Sequence, residues 1–201
     1  MSEPLYAWQR LRAGNHRGRQ SARTVSDVLA DRPIAAVFRC ADSALASEAV
    51  FGQDPGAVID VSTWGHVTGS GVIGTLEYAV ENLEVPLIVV LGHPGCPAMG
   101  AAMRAWTEAA LPAGASRTAV EQAIASMVRR GVQADSVDTL TATHVADVGL
   151  ALLERSPSIA RRVDAGACGI VCVTTGADGR LRTHAAAGPV GETAETLLEC
   201  V

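Results

Sequence analysis

Four short segments that are apolar at nearly every position most strongly constrain the fold of this chain. They are residues 34–38, 57–61, 87–91 and 169–174. Segments of this length, bounded by proline, glycine or polar residues, are typical of strands buried on both faces. Helical patterns follow most of them, at residues 71–83, 98–110, 118–130 and 137–155. This alternation predicts an α/β fold with a mainly parallel central β-sheet flanked by helices.

The two ends of the chain add smaller features to this fold. Residues 176–184 (GADGRLRTH) predict a turn and a short strand, which we expect to be an antiparallel edge strand beside residues 169–174. The tail that follows is predicted to be helical. Residues 1–30 form a predicted N-terminal helical arm, in which Leu5, Trp8 and Leu11 share one face. Since no strand lies nearby in the sequence, we expect this apolar face to pack on a partner subunit.

Length, composition and charge exclude several classes of protein. A chain of 201 residues without a repeat or a long linker is expected to form a single domain, residues 1–201. The net charge of −5 argues against a nucleic-acid partner. All 16 basic residues are arginine, which excludes Schiff-base and P-loop lysine chemistry. The sequence shows neither a long apolar run nor a signal peptide, so we predict a cytoplasmic protein without a membrane partner.

Residues able to bind a metal follow two of the predicted strands. Cys40 and Asp42 lie where the first strand ends, and His93 and Cys96 lie just after the third. The carboxyl ends of parallel strands are where such sheets bind ligands. Two thiols and one imidazole suit Zn²⁺, with the fourth position open to water or to Asp42. A lone cysteine is more often a small buried apolar residue, and the metal interpretation depends on the two strands being neighbours.

The other cysteines and a further histidine have simpler interpretations. Cys168 and Cys172 are predicted to be buried core residues, because positions four apart on a strand are too distant for a disulfide. Cys200 is expected to be a tail residue. His66, which follows Trp64 and Gly65, is either a proton shuttle at the rim of the site or a structural residue.

Three segments of the chain resemble the β-class carbonic anhydrases. They are Cys40-Ala41-Asp42-Ser43, residues 71–80 (GVIGTLEYAV) and residues 85–96 (VPLIVVLGHPGC). The resemblance extends over nearly the whole chain, and it implies reversible hydration of CO₂ to bicarbonate by zinc-bound hydroxide. It implies that Cys40, His93 and Cys96 are the zinc ligands. By the same resemblance, Asp42 either orients the zinc-bound water or is a fourth ligand in a resting form.

One departure from the family pattern bears directly on catalysis. The family usually reads Cys-x-Asp-Ser-Arg, and its arginine binds the aspartate and keeps it away from the metal. Ala44 occupies that position here, and alanine supplies none of this charge-assisted contact. We therefore expect Asp42 to bind zinc directly and CO₂ hydration to be slow near neutral pH. The opposing possibility is that Arg39 reaches Asp42, although alternation along a strand directs Arg39 and Cys40 to opposite faces.

Three more positions differ from the family pattern. Asp31 replaces a glutamine, Ser62 replaces an arginine after the second strand, and Pro97 replaces the glycine after the second ligand cysteine. Proline fits the first turn of a helix, so Pro97 is compatible with the fold. The other two changes remove polar groups expected near the substrate.

Three functional hypotheses follow from these observations. The first is a zinc lyase that hydrates CO₂, with CO₂ and bicarbonate as its small-molecule substrates. The second is a catalytically silent homologue that binds zinc, and the third is a zinc enzyme for another small substrate, admitted by the space at Ala44. The resemblance also implies a homodimer or a dimer of dimers.

Overall fold

The computed structural model of the protein describes residues 2–18, 32–191 and 195–196. A single six-stranded sheet lies at the centre of these residues. Its strands within these ranges are β1 (Ala35–Cys40), β2 (Val58–Thr63), β3 (Leu87–Gly92), β4 (Gly169–Thr175), β5 (Leu181–Ala187) and β6 (Glu195–Thr196). Their order across the sheet is β2-β1-β3-β4-β5-β6. The first four strands run parallel, whereas β5 is antiparallel to β4. The predicted mainly parallel sheet with an antiparallel strand is confirmed.

The helices of the described ranges also follow the sequence prediction closely. They are α1 (Glu3–Gly18), α2 (Ser47–Phe51), α3 (Ser70–Glu81), α4 (Pro97–Glu108), α5 (Arg117–Arg129), α6 (Val137–Arg155) and α7 (Pro157–Asp164). The periodic patterns predict α3 to α6 to within two residues at each end. They do not predict α2 and α7, since five and eight residues are too short for a clear helical period. Ser156 marks the start of α7, because its side chain accepts a hydrogen bond from the Ile159 N–H.

The sheet has an apolar core on each face. On one face it packs against α3, α6 and α7, through residues such as Leu76, Leu152 and Ile159. On the other face it packs against α1 and α2. A third cluster joins α4 and α5 beside the ends of β1 and β3, and it includes Cys40 and Cys96. No helix in the described part of the chain has both the length and the apolar character needed to cross a membrane.

The expectation for the N-terminal helix is wrong in one respect. The face that carries Trp8 and Leu11 is buried within the chain itself, in one cluster with Phe51 and Leu87, and Leu5 is half-buried. The sequence pattern correctly identifies an apolar helix face but not the surface that covers it, because β3, which α1 contacts, lies some seventy residues away in the chain. The rest of the predicted arm, residues 19–30, lies outside the described residues.

The prediction of a helical tail is also wrong where the structure describes it. Glu195–Thr196 is a short strand, β6, which pairs in parallel with Ala185 and Ala186 of β5. The strand β5 is therefore the next-to-last of the sheet. The remaining tail residues, including Cys200, lie outside the described residues.

Candidate metal centre

The candidate site lies where the carboxyl ends of β1 and β3 meet. Cys40 is the last residue of β1, and His93 follows Gly92, the last residue of β3. The two strands are direct neighbours, with Arg39 opposite Leu91. After β1 the chain forms β2 on one side of β1, and it then crosses to form β3 on the other side of β1. Such a reversal of strand order opens a crevice at the carboxyl edge of a sheet, where ligands bind.

The structure brings all four predicted ligand residues together. One donor atom each from Cys40, Asp42, His93 and Cys96 lies within 4.8 Å of the other three. The Cys40 and Cys96 sulfur atoms are 3.8 Å apart. Two sulfur atoms at about 2.3 Å from a tetrahedral zinc are separated by about this distance. The donor set and its spacing therefore fit a zinc ion.

Asp42 has an incomplete set of hydrogen bonds. Its Oδ1 lies 2.9 Å from His93 Nε2, whereas its Oδ2 is buried without a hydrogen-bond partner among the described residues. A buried carboxylate oxygen without a partner is costly unless a cation or a donor occupies the space beside it. This oxygen is therefore a further observation that fits a metal ion at the site.

No arginine of the described chain binds Asp42. Arg39 projects to the other side of β1, where its Nε lies 2.9 Å from both carboxylate oxygens of Asp60. The proposed rescue of Asp42 by Arg39 is thus excluded by the alternation of side chains along the strand. Ala44 is exposed and lies in the wall of an adjoining cavity.

The thiols and the imidazole affect each other's protonation in the metal-free protein. The hydrogen bond shared with Cys96, followed by burial, raises the pKa of Cys40, while the same hydrogen bond lowers the pKa of Cys96. The hydrogen bond with Cys40 raises the pKa of His93. These shifts favour protons on Cys40 and His93 in the metal-free protein, and binding of a metal cation displaces such protons.

The turn that carries His93 and Cys96 is fixed from two sides. Pro97 is at the first turn of α4, as predicted. Before it, the Gly95 N–H donates a 2.9 Å hydrogen bond to Asp138 Oδ1 at the start of α6. Gly92 allows α6 to approach, since a Cβ there would lie only 2.7 Å from Thr141 Cγ2.

A backbone group that the sequence analysis did not identify also contacts the site. The Gly65 N–H donates a hydrogen bond to Cys40 Sγ, with 3.0 Å between the two atoms. Gly65 lies in a short 3₁₀ turn, Trp64–His66, directly after β2. The only available signal was the Trp-Gly-His sequence after a predicted strand, which does not indicate where a backbone N–H points.

The hypothesis of a proton-shuttle role for His66 does not agree with its surroundings. The side chain is 1% exposed, and its Nε2–H donates to the Leu91 carbonyl oxygen at 2.9 Å. Burial, and then the proximity of His144, lower the pKa of His66 to about 3. The imidazole is therefore neutral across the physiological range and acts as a structural donor.

The other residues discussed in the sequence analysis lie outside the metal-ligand group. Cys168 and Cys172 are free and buried, and burial raises the pKa of each thiol to about 12. The prediction that they are core residues is confirmed. Ser62 is exposed on β2, and Asp31 lies outside the described residues.

Two cavities adjoin the candidate site. The first, of about 430 Å³, has a wall that includes Ala44, Leu45, Leu91 and His93, and none of the described residues in this wall is Lys, Arg, Asp or Glu. The second, of about 460 Å³, shares His93 and includes Arg182. Asp138 also lines the second cavity, so among the described residues the site has one approach without a formally charged side chain and one approach with both a positive and a negative charge.

Comparison with known proteins shows the family to which this chain is related. A model of the carbonic anhydrase family matches residues 35–180. A carbonic anhydrase of Mycolicibacterium smegmatis is 39% identical over 202 residues, which covers 95% of this chain and 98% of that protein. The chain therefore belongs to the carbonic anhydrase family.

Solved structures add the class of the fold. A β-carbonic anhydrase from Coccomyxa, in complex with acetazolamide, has a TM-score of 0.62 and 22% identity, with 75% of this chain and 71% of that chain covered. One of two tetrameric β-carbonic anhydrases from Sordaria macrospora has a TM-score of 0.63 and 20% identity, covering 75% and 80%. The fold of this protein is that of the β-class.

Proposed function

We propose that the protein is a zinc-dependent carbonic anhydrase, which interconverts CO₂ and water with bicarbonate and a proton. The observation that carries this proposal is the close approach of four donor atoms, from Cys40, Asp42, His93 and Cys96, at the switch point of a β-class fold. Membership of the carbonic anhydrase family supports the same reaction.

Each residue of the site has a defined role in this proposal. Cys40, His93 and Cys96 hold the zinc ion, and a zinc ion bound there supplies Lewis acidity toward a water molecule. Asp42 is positioned to accept a hydrogen bond from that water or to occupy its place. The cavity beside His93, whose described wall has no formally charged side chain, admits CO₂. The second cavity offers the Arg182 guanidinium to the anionic product, in the same wall as the Asp138 carboxylate that the Gly95 N–H binds.

No arginine of the described residues pairs with Asp42, so in this proposal Asp42 determines whether water reaches the metal. Its carboxylate lies among the ligand atoms, and one oxygen has no other hydrogen-bond partner among the described residues. We therefore propose that Asp42 occupies the fourth ligand position at neutral pH, so that water has little access to the metal. Turnover is then slow in the unmodified protein.

The test is stopped-flow CO₂ hydration by the zinc-loaded protein at about pH 6.5 to 9, compared with the Ala44→Arg variant. The introduced guanidinium would bind Asp42 and is expected to raise kcat/KM by about 10-fold to 100-fold, the usual range for groups that orient a ligand or its neighbour. Ala44→Met is the matched control, because it adds a side chain of similar length without charge. Fast turnover by the unmodified protein would support the carbonic anhydrase function and contradict the assignment of Asp42 as a blocking ligand.

A second candidate function is a zinc enzyme for another small neutral substrate. The observation in its favour is the cavity of about 430 Å³ beside Ala44, which is much larger than CO₂ requires and has no formally charged side chain in its wall. Hydrolysis of 4-nitrophenyl acetate by the zinc-loaded protein, without CO₂ hydration in either variant, would favour this candidate. Zinc binding without either activity would indicate a catalytically silent homologue.

We further propose that the protein is a cytoplasmic homodimer or a dimer of dimers. Tyr6 on α1 and Tyr78 on α3 are 59% and 54% exposed, and such large side chains are suited to an interface. The free thiols of the described cysteines are compatible with a reducing compartment. Light scattering coupled to size-exclusion chromatography measures the assembly directly, and a monomer would contradict this part of the proposal.

A further inference from the structure

A continuous series of hydrogen bonds joins α6 to one of the candidate metal ligands. The Gly65 N–H donates to Cys40 Sγ at 3.0 Å. The carbonyl oxygen of the same residue lies 3.0 Å from His144 Nε2. A carbonyl oxygen can only accept a hydrogen bond, so Nε2 of His144 carries the proton and donates it. Gly65 thus contacts a metal ligand on one side and a buried histidine on the other.

The backbone of Gly65 can form both contacts only because the residue is glycine. Its φ is 67° and its ψ is 29°, which is the left-handed region. A Cβ at this position would lie 2.9 Å from Ala119 Cβ and 3.1 Å from Ala98 Cβ. The direction of the N–H toward Cys40 therefore depends on a tightly packed backbone conformation, and not on a side chain of the turn.

His144 is itself fixed by a second set of polar contacts. The side chain is 1% exposed, and its Nδ1 lies 2.8 Å from Ser126 Oγ on α5. Ser126 Oγ is 2.8 Å from Asp147 Oδ2, and Arg129 donates to both oxygens of Asp147. This series extends from a charged pair near the surface to the buried imidazole, so the orientation of the ring is determined by α5 and α6.

We propose that His144 is a positioning residue for the metal centre, which aims the Gly65 N–H at the Cys40 sulfur by binding the Gly65 carbonyl. An N–H that donates to a thiolate withdraws electron density from the sulfur and so weakens its donation to a metal ion. Hydrogen bonds around ligand atoms tune metal sites in this way. The inference rests on the proposed zinc site, and it assigns to His144 a function beyond filling the core.

The experiment uses cobalt(II)-loaded protein, because thiolate-to-cobalt charge-transfer bands report the electron density on the ligand sulfur. His144→Leu removes the donor while keeping an apolar side chain of moderate size. We expect its charge-transfer band to move to lower energy, because the sulfur regains electron density. We expect its cobalt affinity to fall by about 10-fold, because the thiolate loses a donor that favours it over the thiol, which a proton keeps from the metal. His144→Gln retains an N–H donor and is expected to restore the band to the position of the unmodified protein.

His184→Leu is the matched control, because His184 is also a partly buried histidine that binds a hydroxyl, that of Thr174 at 2.8 Å. No hydrogen bond joins His184 to Gly65 in the described part of the chain, so we expect no shift of the band. An unchanged band in His144→Leu, or an equal shift in His184→Leu, would overturn the inference. So would a His144→Gln variant that shifts as far as His144→Leu.

Two further outcomes separate this inference from the proposed function. If His144→Leu does not fold, Ser126→Ala releases Nδ1 while leaving the imidazole in place, and a smaller shift in the same direction is expected. No shift in Ser126→Ala would then contradict the role. If the unmodified protein forms no thiolate-to-cobalt bands, the zinc site fails and the inference fails with it. Absence of CO₂ hydration in both the unmodified protein and Ala44→Arg, with intact bands, would contradict only the proposed function.

Discussion

Two carboxylates, Asp42 after β1 and Asp147 on α6, have opposite surroundings. Asp147 is 3% exposed, and both of its oxygens accept hydrogen bonds from Arg129 or Ser126. Burial alone would raise its pKa, but Arg129 and Ser126 outweigh this effect and lower it. Asp42, in contrast, has His93 on one oxygen, and its other oxygen has no partner in the described ranges.

This difference distinguishes a structural carboxylate from one that is available to a ligand. A buried carboxylate with a complete set of donors fixes the elements around it and has no remaining capacity to bind a cation. An incompletely bonded carboxylate beside two thiols and an imidazole is stabilised when a cation arrives. Ala44, two residues after Asp42, has no group that could pair with a carboxylate, whereas Asp147 has the guanidinium of Arg129.

The largest effect is expected for the removal of a ligand. Cys40→Ser should reduce zinc affinity by more than about 100-fold, because the loss of a thiolate exceeds the effect of losing a supporting hydrogen bond. Cys172→Ala is the control, since Cys172 is also a fully buried thiol but lies inside the sheet. Competition with a chromogenic chelator measures both affinities. Equal affinity in Cys40→Ser and the unmodified protein would contradict the metal assignment.

The next largest effect is expected on the free energy of unfolding, for which the two carboxylates can be compared directly. Asp147→Asn should lower the free energy of unfolding by about 2 to 3 kcal/mol, because it removes charge-assisted hydrogen bonds from a buried position. Asp42→Asn should change the same quantity in the metal-free protein by less than about 0.5 kcal/mol, because few contacts depend on its charge. Urea denaturation of both variants makes the comparison. Equal destabilisation would show that Asp42 is as structural as Asp147.

A smaller effect concerns the pH dependence of stability. His66 is neutral in the native protein because its pKa is lowered to about 3, whereas a histidine in the unfolded chain titrates at about 6.5. Between these values the unfolded state binds one more proton, so stability is lost as the pH falls. The contribution of His66 reaches about 1.4 kcal/mol per pH unit.

His66→Gln removes this titration. Unfolding measured at several pH values from about 4 to 6.5 should therefore show a shallower loss of stability in the variant, at the same metal content. Parallel curves for the variant and the unmodified protein would mean that His66 is protonated in the native state. A shuttle role for His66 would then be open again.

The smallest effect is expected for Arg39. Its side chain is 17% exposed and pairs with Asp60, so Arg39→Ala should lower the free energy of unfolding by about 1 kcal/mol or less. Zinc affinity and the response to Ala44→Arg should not change, because Arg39 lies on the opposite face of β1 from Cys40. A loss of zinc affinity in Arg39→Ala would indicate that it influences Asp42 after all.

The sequence predicted the strands and the longer helices because their periodic patterns are local. The apolar segments at β1, β2, β3 and β4 and the helical periods of α3 to α6 needed no knowledge of the rest of the chain. The short helices α2 and α7 and the strand β6 were missed, since two to eight residues carry little periodic signal. The burial of Trp8 on the chain's own sheet was missed because the covering surface is distant in sequence.

The candidate site shows the same division. Residue types and their positions at strand ends were sufficient to identify Cys40, Asp42, His93 and Cys96, and alternation along β1 was sufficient to direct Arg39 away from Asp42. The contact between Gly65 and Cys40 could not be predicted in this way. It depends on a left-handed backbone conformation and on the packing of α4 and α5 against the turn.

By itself, the sequence determined the four parallel strands and the longer helices, the side chains that can supply metal ligands, and the absence of an arginine two residues after Asp42. These properties follow from local patterns and from the chemistry of individual residues. Only the tertiary structure decided that β1 and β3 are neighbours, that the unpartnered Asp42 oxygen is buried, and that His144 reaches the metal centre through Gly65. Such contacts join residues that are distant along the chain, and their geometry is set by the packing of the whole core.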